Sequence, residues 1–361
     1  MKFSEAMNTI ELVLESGNVP LIIGEAGIGK TSLVKKICKY DDYYLVNIDA
    51  NLLKEGEIGG LPIVENGRTR YATHYKLIEI DEALKNNEYK GVLLFIDELN
   101  RCEHAVQQEL MNLILNREIN GYKLSESVKI VAAMNPSNKY DGYEDSDYQV
   151  VEMDKAQEDR FTWVELSSDI KEWINWAMSK DANINENIIE FLSTFPEYLN
   201  TPNSRESIKA TPRSWERIGK AYNVYLNKKN KYSIDTFYNV VKGNAGVSIA
   251  TDFINYIKNS KSPIRKPEDI FCYEVLPLEI REEIRKESHS RLYILAKNAL
   301  RYLEENNNDK NRKIFGDLLA SYPKDLRLGL MKEVKLEATE KLYNDLLDED
   351  KFLDAFFTIY E

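Results

Sequence analysis

Two rhythms of apolar and polar residues alternate through the first half of the chain. Short, nearly continuous apolar runs occur at 19–23, 43–48, 91–96, 128–134 and 162–166. Runs of this length, rich in Val, Ile and Leu, fit strands covered on both faces. Between them lie stretches with helical spacing, beginning with a helix predicted over 4–16 that leads into the first strand. The alternation predicts an α/β domain with a mostly parallel sheet over residues 1–168. Two interruptions carry hairpin signals. Asn66-Gly67 separates 62–65 from 68–71, and Asn120-Gly121 separates 117–119 from 122–124. Asn-Gly suits a two-residue type I′ turn, which needs positive φ at both positions.

From residue 169 the period is helical. Helices are predicted over 169–180, 185–195, 213–228, 234–242 and 247–258, making a helical region of 169–260. Residues 261–268 hold two prolines and three basic residues and read as a linker. Residues 269–361 form a helical C-terminal domain with amphipathic stretches at 278–288, 290–305, 312–321 and 337–360.

Composition narrows the class. The 361 residues, 43% hydrophobic, can bury the cores of more than one domain. No run approaches the ~18 apolar residues of a membrane span. The first residues lack the apolar core of a signal peptide. Three cysteines (Cys38, Cys102, Cys272) and three histidines are too few and too scattered for a disulfide framework or a zinc site, and suit a reducing cytoplasm. The net charge of −12 disfavours a protein that grips duplex DNA across its surface, since few counterions would be released.

The chemistry is concentrated in residues 24–31, Gly24-Glu25-Ala26-Gly27-Ile28-Gly29-Lys30-Thr31. The spacing Gly-x-x-x-x-Gly-Lys-Thr between a predicted strand and a predicted helix is that of a phosphate-cradling loop. Glycines at these positions let successive backbone N–H groups turn toward an anion. Lys30 would reach the outer phosphates, and the Thr31 hydroxyl would ligate Mg²⁺. Ser32 continues the helix start at the phosphates. The third apolar strand ends in Asp97-Glu98. This places one carboxylate for the metal shell, Asp97, and one for activating water, Glu98, at the carboxyl edge of the sheet.

With these residues on the page a resemblance becomes specific. The loop 24–31 looks like a Walker A motif and 93–98 like a Walker B motif. Asp97-Glu98-Leu99-Asn100-Arg101 resembles the Asp-Glu-Ile-Asn-Arg run of MoxR-like AAA+ ATPases. Asn135, in Ala133-Met134-Asn135-Pro136, is similar to that family's sensor 1. Ala156-Gln157-Glu158-Asp159-Arg160-Phe161 resembles the stretch carrying its arginine finger, here Arg160. Thr211-Pro212-Arg213 looks like its sensor 2, usually Ser-Pro-Arg, with Arg213 as the phosphate contact. The two hairpins fall where the family carries inserts. The resemblance covers residues 1–260 and does not reach the last hundred.

The resemblance implies a P-loop AAA+ core, an α-helical lid over 169–260, and ATP and Mg²⁺ as cofactors. The nucleotide would be held by Gly24, Glu25, Ala26, Gly27, Ile28, Gly29, Lys30, Thr31, Ser32, Asp97, Asn135 and Arg213. It further implies a homo-oligomeric ring, a hexamer, acting on a protein client, often with a von Willebrand A domain partner. The expected function is therefore ATP hydrolysis coupled to remodelling, maturation or metal insertion of that client. The hairpin 61–73 would transmit the motion, with Arg68, Arg70, Tyr71 and His74 as candidate substrate contacts, or is an ordinary solvent-exposed hairpin. The alternative function is a nucleic-acid motor of a restriction, replication or defence system, whose pore the hairpin arginines would line. Asn47, at the end of the second run, is a candidate for orienting Glu98, although an ordinary strand-end asparagine is the simpler reading.

Overall fold

In the computed structural model all residues are described except 87, 142, 144–147, 180–181, 260–264 and 358–361. Half of the expected linker, and the final residues of two expected helices, lie outside the described residues. The chain runs α1 (Phe3–Glu15), β1 (Pro20–Ile23), α2 (Lys30–Asp41), β2 (Tyr43–Asp49), β3 (Pro62–Glu65), β4 (Arg68–Tyr71), α3 (Tyr75–Asn86), β5 (Gly91–Asp97) and α4 (His104–Leu115). Then come β6 (Glu118–Ile119), β7 (Tyr122–Lys123), β8 (Val128–Met134), α5 (Lys155–Glu158), β9 (Thr162–Glu165), α6 (Ile170–Ala177), α7 (Glu186–Thr194), α8 (Pro212–Asn227), α9 (Ile234–Ala245) and α10 (Val247–Asn259). The remaining helices are α11 (Pro267–Phe271), α12 (Leu278–Arg285), α13 (His289–Glu305), α14 (Asp309–Ala320), α15 (Lys324–Glu337), α16 (Glu340–Leu347) and α17 (Asp350–Phe357).

The five apolar runs pair in parallel, in the order β2-β5-β8-β1-β9. Alternate residues of each strand feed opposite faces, as a period of two requires. Ile22, Leu93, Phe95, Val131, Ala133 and Val164 pack under α1 and α2. Leu21, Ile23, Val46, Leu94, Ile96 and Ile130 pack on the other face, against Leu77 and Ile80 of α3 and Val106, Leu110 and Ile114 of α4. Both hairpins form in the expected register, with Asn66, Gly67, Asn120 and Gly121 all at positive φ. Every residue of β3 and β4 is exposed.

The chain divides into two compact units, one of residues 1–184 and 197–251, the other of residues 185–196 and 252–361. In the second, α7 carries Glu190, whose carboxylate binds Arg291 of α13 at 3.1 Å. The C-terminal helices depart from the sequence expectation in three places. The stretch 337–360 is two helices, not one: Thr339 caps α16 by accepting from the Leu342 N–H, and the acidic run Asp348-Glu349-Asp350 ends it and opens α17. The helix α15 was not expected, because Arg327 and Gly329 interrupt its apolar stripe. Arg327 nevertheless points inward, 7% exposed, and donates to the Ala355 carbonyl in the last turn of α17. Finally, Pro267 opens α11 instead of extending a linker; proline is well tolerated in a first helical turn. Among the described residues no helix is long and apolar enough to cross a membrane.

The contact of α14 with α17 sets a packing limit. A Cβ at Gly316 would lie 2.6 Å from backbone atoms of Lys351 and Phe352. Gly316→Ala should therefore destabilise the second unit by ~1–3 kcal/mol despite the better helix propensity of alanine. Thermal unfolding checks this; an unchanged or raised Tm would contradict the close approach.

Candidate functional site

Three strand ends meet at one edge of the sheet. Ile23 pairs with Met134, so the loop leaving β1 and the residue leaving β8 start side by side. On the far side of β8, Asp97 closes β5. Because β8 lies between β1 and β5, Asn135 stands between the glycine-rich loop and the two acids.

The loop has the conformation its glycines permit. Gly27 has φ +80° and Gly29 φ +113°, both in the left-handed region where a Cβ is disfavoured. Gly29 caps α2, so the free N–H groups of that helix open onto the loop. At Gly27 space is also limiting: a Cβ there would lie 2.8 Å from Thr211 Oγ1 and 3.3 Å from Arg213 Cβ. Arg213 N donates to the Gly27 carbonyl at 3.1 Å, and Thr211 caps α8 by accepting from Ser214 N, so the start of α8 rests on the loop.

Lys30 is 7% exposed, and its ammonium donates to Gly24 O at 2.6 Å and to Asn135 Oδ1 at 2.8 Å. Burial brings Lys30 down to about 8; Glu98 and Asp97 pull the other way, and Arg213 adds to the lowering. Asn135 is fully buried. Its amide nitrogen donates to Glu98 Oε2 at 2.7 Å, so one side chain joins the lysine to the acid. Thr31 Oγ1 donates to Asp97 Oδ2 at 2.9 Å. Glu98 sits at φ +56°, an uncommon conformation for a residue other than glycine, while its own N–H donates to Asp97 Oδ1 at 2.9 Å. Burial raises the Glu98 carboxyl above its usual range, and Lys30 opposes that rise.

The expected residues of the loop, together with Asp97, Glu98, Asn135 and Arg213, are thus brought together. Ser32 is exposed in the first turn of α2, and Arg160 is exposed on the turn after α5, its backbone N–H bonded to Gln157 O. Asn47 is exposed and pairs in register with Phe95; it is Asp49 that lies opposite Asp97 and adds its charge to Glu98. Cys102 is buried in the core and His104 is exposed at the start of α4.

Two residues escaped the sequence reading. Asn100 is 2% exposed; its Nδ2 donates to Asn135 O at 2.8 Å, and its Oδ1 accepts from Asn135 N at 3.2 Å. This amide imitates a strand neighbour and continues the pairing of β8 one residue past its end, which fixes where Asn135 points. Tyr148 lies 122 residues from the loop, yet its hydroxyl accepts from Ala26 N at 2.9 Å. Asn100 was in view within Asp97-Glu98-Leu99-Asn100-Arg101 but carried no assigned role; nothing in the sequence around Tyr148 marks it.

Residues 20–161 match the family model of the AAA domain, dynein-related subfamily. Those residues have the P-loop AAA fold. With it goes ATPase activity, using ATP and Mg²⁺. No curated protein matches the chain. Among solved structures, an ATPase of Cytophaga hutchinsonii ATCC 33406, so far assigned only by inference, is 17% identical over 70% of this chain and 89% of its own, with a TM-score of 0.33. A RuvB point mutant from Thermotoga maritima is 16% identical over 82% of this chain and 81% of its own, also at 0.33. The AAA site fits its cofactors here. The left-handed Gly27 and Gly29 and a helix N-terminus offer N–H groups to phosphates, a buried ammonium adds charge, and Thr31 with Asp97 offers oxygen ligands to a hard cation.

Two outcomes are expected. Nucleotide binding favours charged Lys30, so above about pH 8 it must take up a proton. ATP affinity should then fall as pH rises, by up to about tenfold per unit. Calorimetry from about pH 7.5 to about 9.5 measures it; a constant affinity would show that Lys30 keeps its proton throughout. Asn100→Ala should lower kcat about tenfold or more while ATP affinity moves less than about twofold, since it frees Asn135 without touching the loop. Equal losses in binding and turnover would remove that role.

Proposed function

We propose that the protein works as a ring, a hexamer, that hydrolyses ATP at subunit interfaces and uses the motion to remodel a protein client, in the manner of MoxR-like ATPases. The observation that carries this reading is the position of Arg160. The other charged groups of the site cluster around Lys30, whereas Arg160 is exposed on a turn at the surface. A phosphoryl-transfer transition state spreads negative charge over three oxygens. Lys30 and Arg213 would meet that charge from one subunit and Arg160 from its neighbour.

Within one subunit each residue has a distinct task. The loop 24–31 with Ser32 holds the phosphates. Thr31 and Asp97 would hold Mg²⁺, which would supply neutralisation of phosphate charge. Glu98 accepts the proton of the attacking water, and Asn135 orients both that carboxylate and Lys30. Arg213, at the start of α8, ties that helix to the same phosphates, so loss of the last phosphate changes what holds it. The exposed hairpin β3–β4, with Arg68, Arg70 and Tyr71, is the element offered to the client, which a von Willebrand A domain partner could present.

Mixing two inactive variants tests the ring. Lys30→Ala should lose ATP binding, and Arg160→Ala should bind ATP without turning it over, a loss of about 10³-fold or more. A mixture should regain part of the activity, because the first variant lends its arginine to the intact loop of the second. A mixture as silent as its components would place Arg160 outside the neighbour's site. The same assay with duplex DNA at low salt should show no stimulation; a salt-sensitive acceleration would point to nucleic acid in place of a protein client.

A further inference from the structure

The second residue of the phosphate loop, Glu25, poses an electrostatic problem. Its carbonyl oxygen accepts from Lys30 Nζ at 3.3 Å, so the residue lies beside the ammonium that would meet the outer phosphates, and its carboxylate charge acts on that ammonium. A free carboxylate there would repel the terminal phosphate. In the structure the Tyr148 hydroxyl donates to Glu25 Oε2 at 2.8 Å while accepting from Ala26 N at 2.9 Å. The phenol therefore bridges the side chain of one loop residue and the backbone of the next. Burial and the adjoining carboxylate push Tyr148 up to about 12, so it remains a donor at any working pH. The segment behind it is anchored three residues on, where Val151 N donates to Asn100 O at 2.8 Å and Gln107 Nε2 donates to Val151 O at 3.2 Å.

We propose that Tyr148 is a positioning residue that sets the preference for triphosphate over diphosphate, by clamping the Glu25 carboxylate against the outer limb of the loop and away from the terminal phosphate. The role is exerted through Glu25, and it rests on residues 24–31 being the phosphate site. A diphosphate lacks the group that would meet the carboxylate and is indifferent to the clamp.

The test is calorimetry on the full chain with Mg²⁺ and either a non-hydrolysable ATP analogue or ADP. Tyr148→Phe should weaken the analogue about tenfold, the scale of one hydrogen bond to a charged group, and ADP less than about twofold. Glu25→Gln, which removes the charge, should restore analogue binding in the Tyr148→Phe background. Equal weakening of both nucleotides, or no rescue by Glu25→Gln, overturns the proposal. Lys30→Ala, measured alongside, separates the two assignments. If it retains full affinity for both nucleotides, the phosphate site itself is wrong and the proposal falls with it. If it loses both while Tyr148→Phe shows no triphosphate-specific loss, only the clamp is wrong.

Discussion

One buried amide holds the two halves of the site in register. Asn135 accepts from Lys30 on one side and donates to Glu98 on the other, with no exposure to solvent. The phosphate-binding loop and the acidic strand end are not neighbours in the sheet; β8 lies between them. Without the amide the buried ammonium and the half-buried carboxylate would each lose a partner, and leaving either under-paired in the interior is costly. Asn135 is in turn held through its backbone by Asn100, so its aim does not depend on a free rotamer. The order of the strands thereby becomes a chemical fact, because it decides which residue can touch both lysine and acid.

Around this bridge the backbone takes conformations that cost energy. Glu98 is left-handed without being glycine, and Gly27 and Gly29 are left-handed where their neighbours leave little room or where a helix must begin. Glycine enters this region freely, whereas Glu98 there costs on the order of 1–3 kcal/mol and persists only where its surroundings over-determine it. Here the surroundings are the tightly packed strand ends: β1, β5 and β8 are buried on both faces almost to their last residues. The rigid sheet supports the strained edge, and the edge carries the charges.

The second unit follows other rules. Its helices use ion pairs in buried positions, including Arg291 with Glu190 and Arg281 with Asp317 at 2.8 Å. Such pairs add little net stability over apolar packing but penalise alternative arrangements, because a partner left alone in the interior is expensive. The same chemistry hides these helices from a reading of apolar periodicity. Arg327 looks like a surface residue in the sequence and is a capping group in the fold.

Sequence alone determined the elements whose signals are local. Continuous apolar runs specified the five strands, Asn-Gly specified both hairpins, and the glycine spacing with Lys30 and Thr31 specified the loop, because backbone conformation and burial on two faces act within a few residues. It also marked Asp97 and Glu98, since an apolar strand ending in paired acids is a local pattern. Tertiary structure alone decided what depends on which strands are neighbours: the joining of Asn135 to both Lys30 and Glu98, the place of Asp49 in preference to Asn47, the grip of Asn100, and the arrival of Tyr148 at the loop. Contacts between residues a hundred positions apart leave no periodic trace in the chain, because their geometry is fixed only once the sheet has chosen its order.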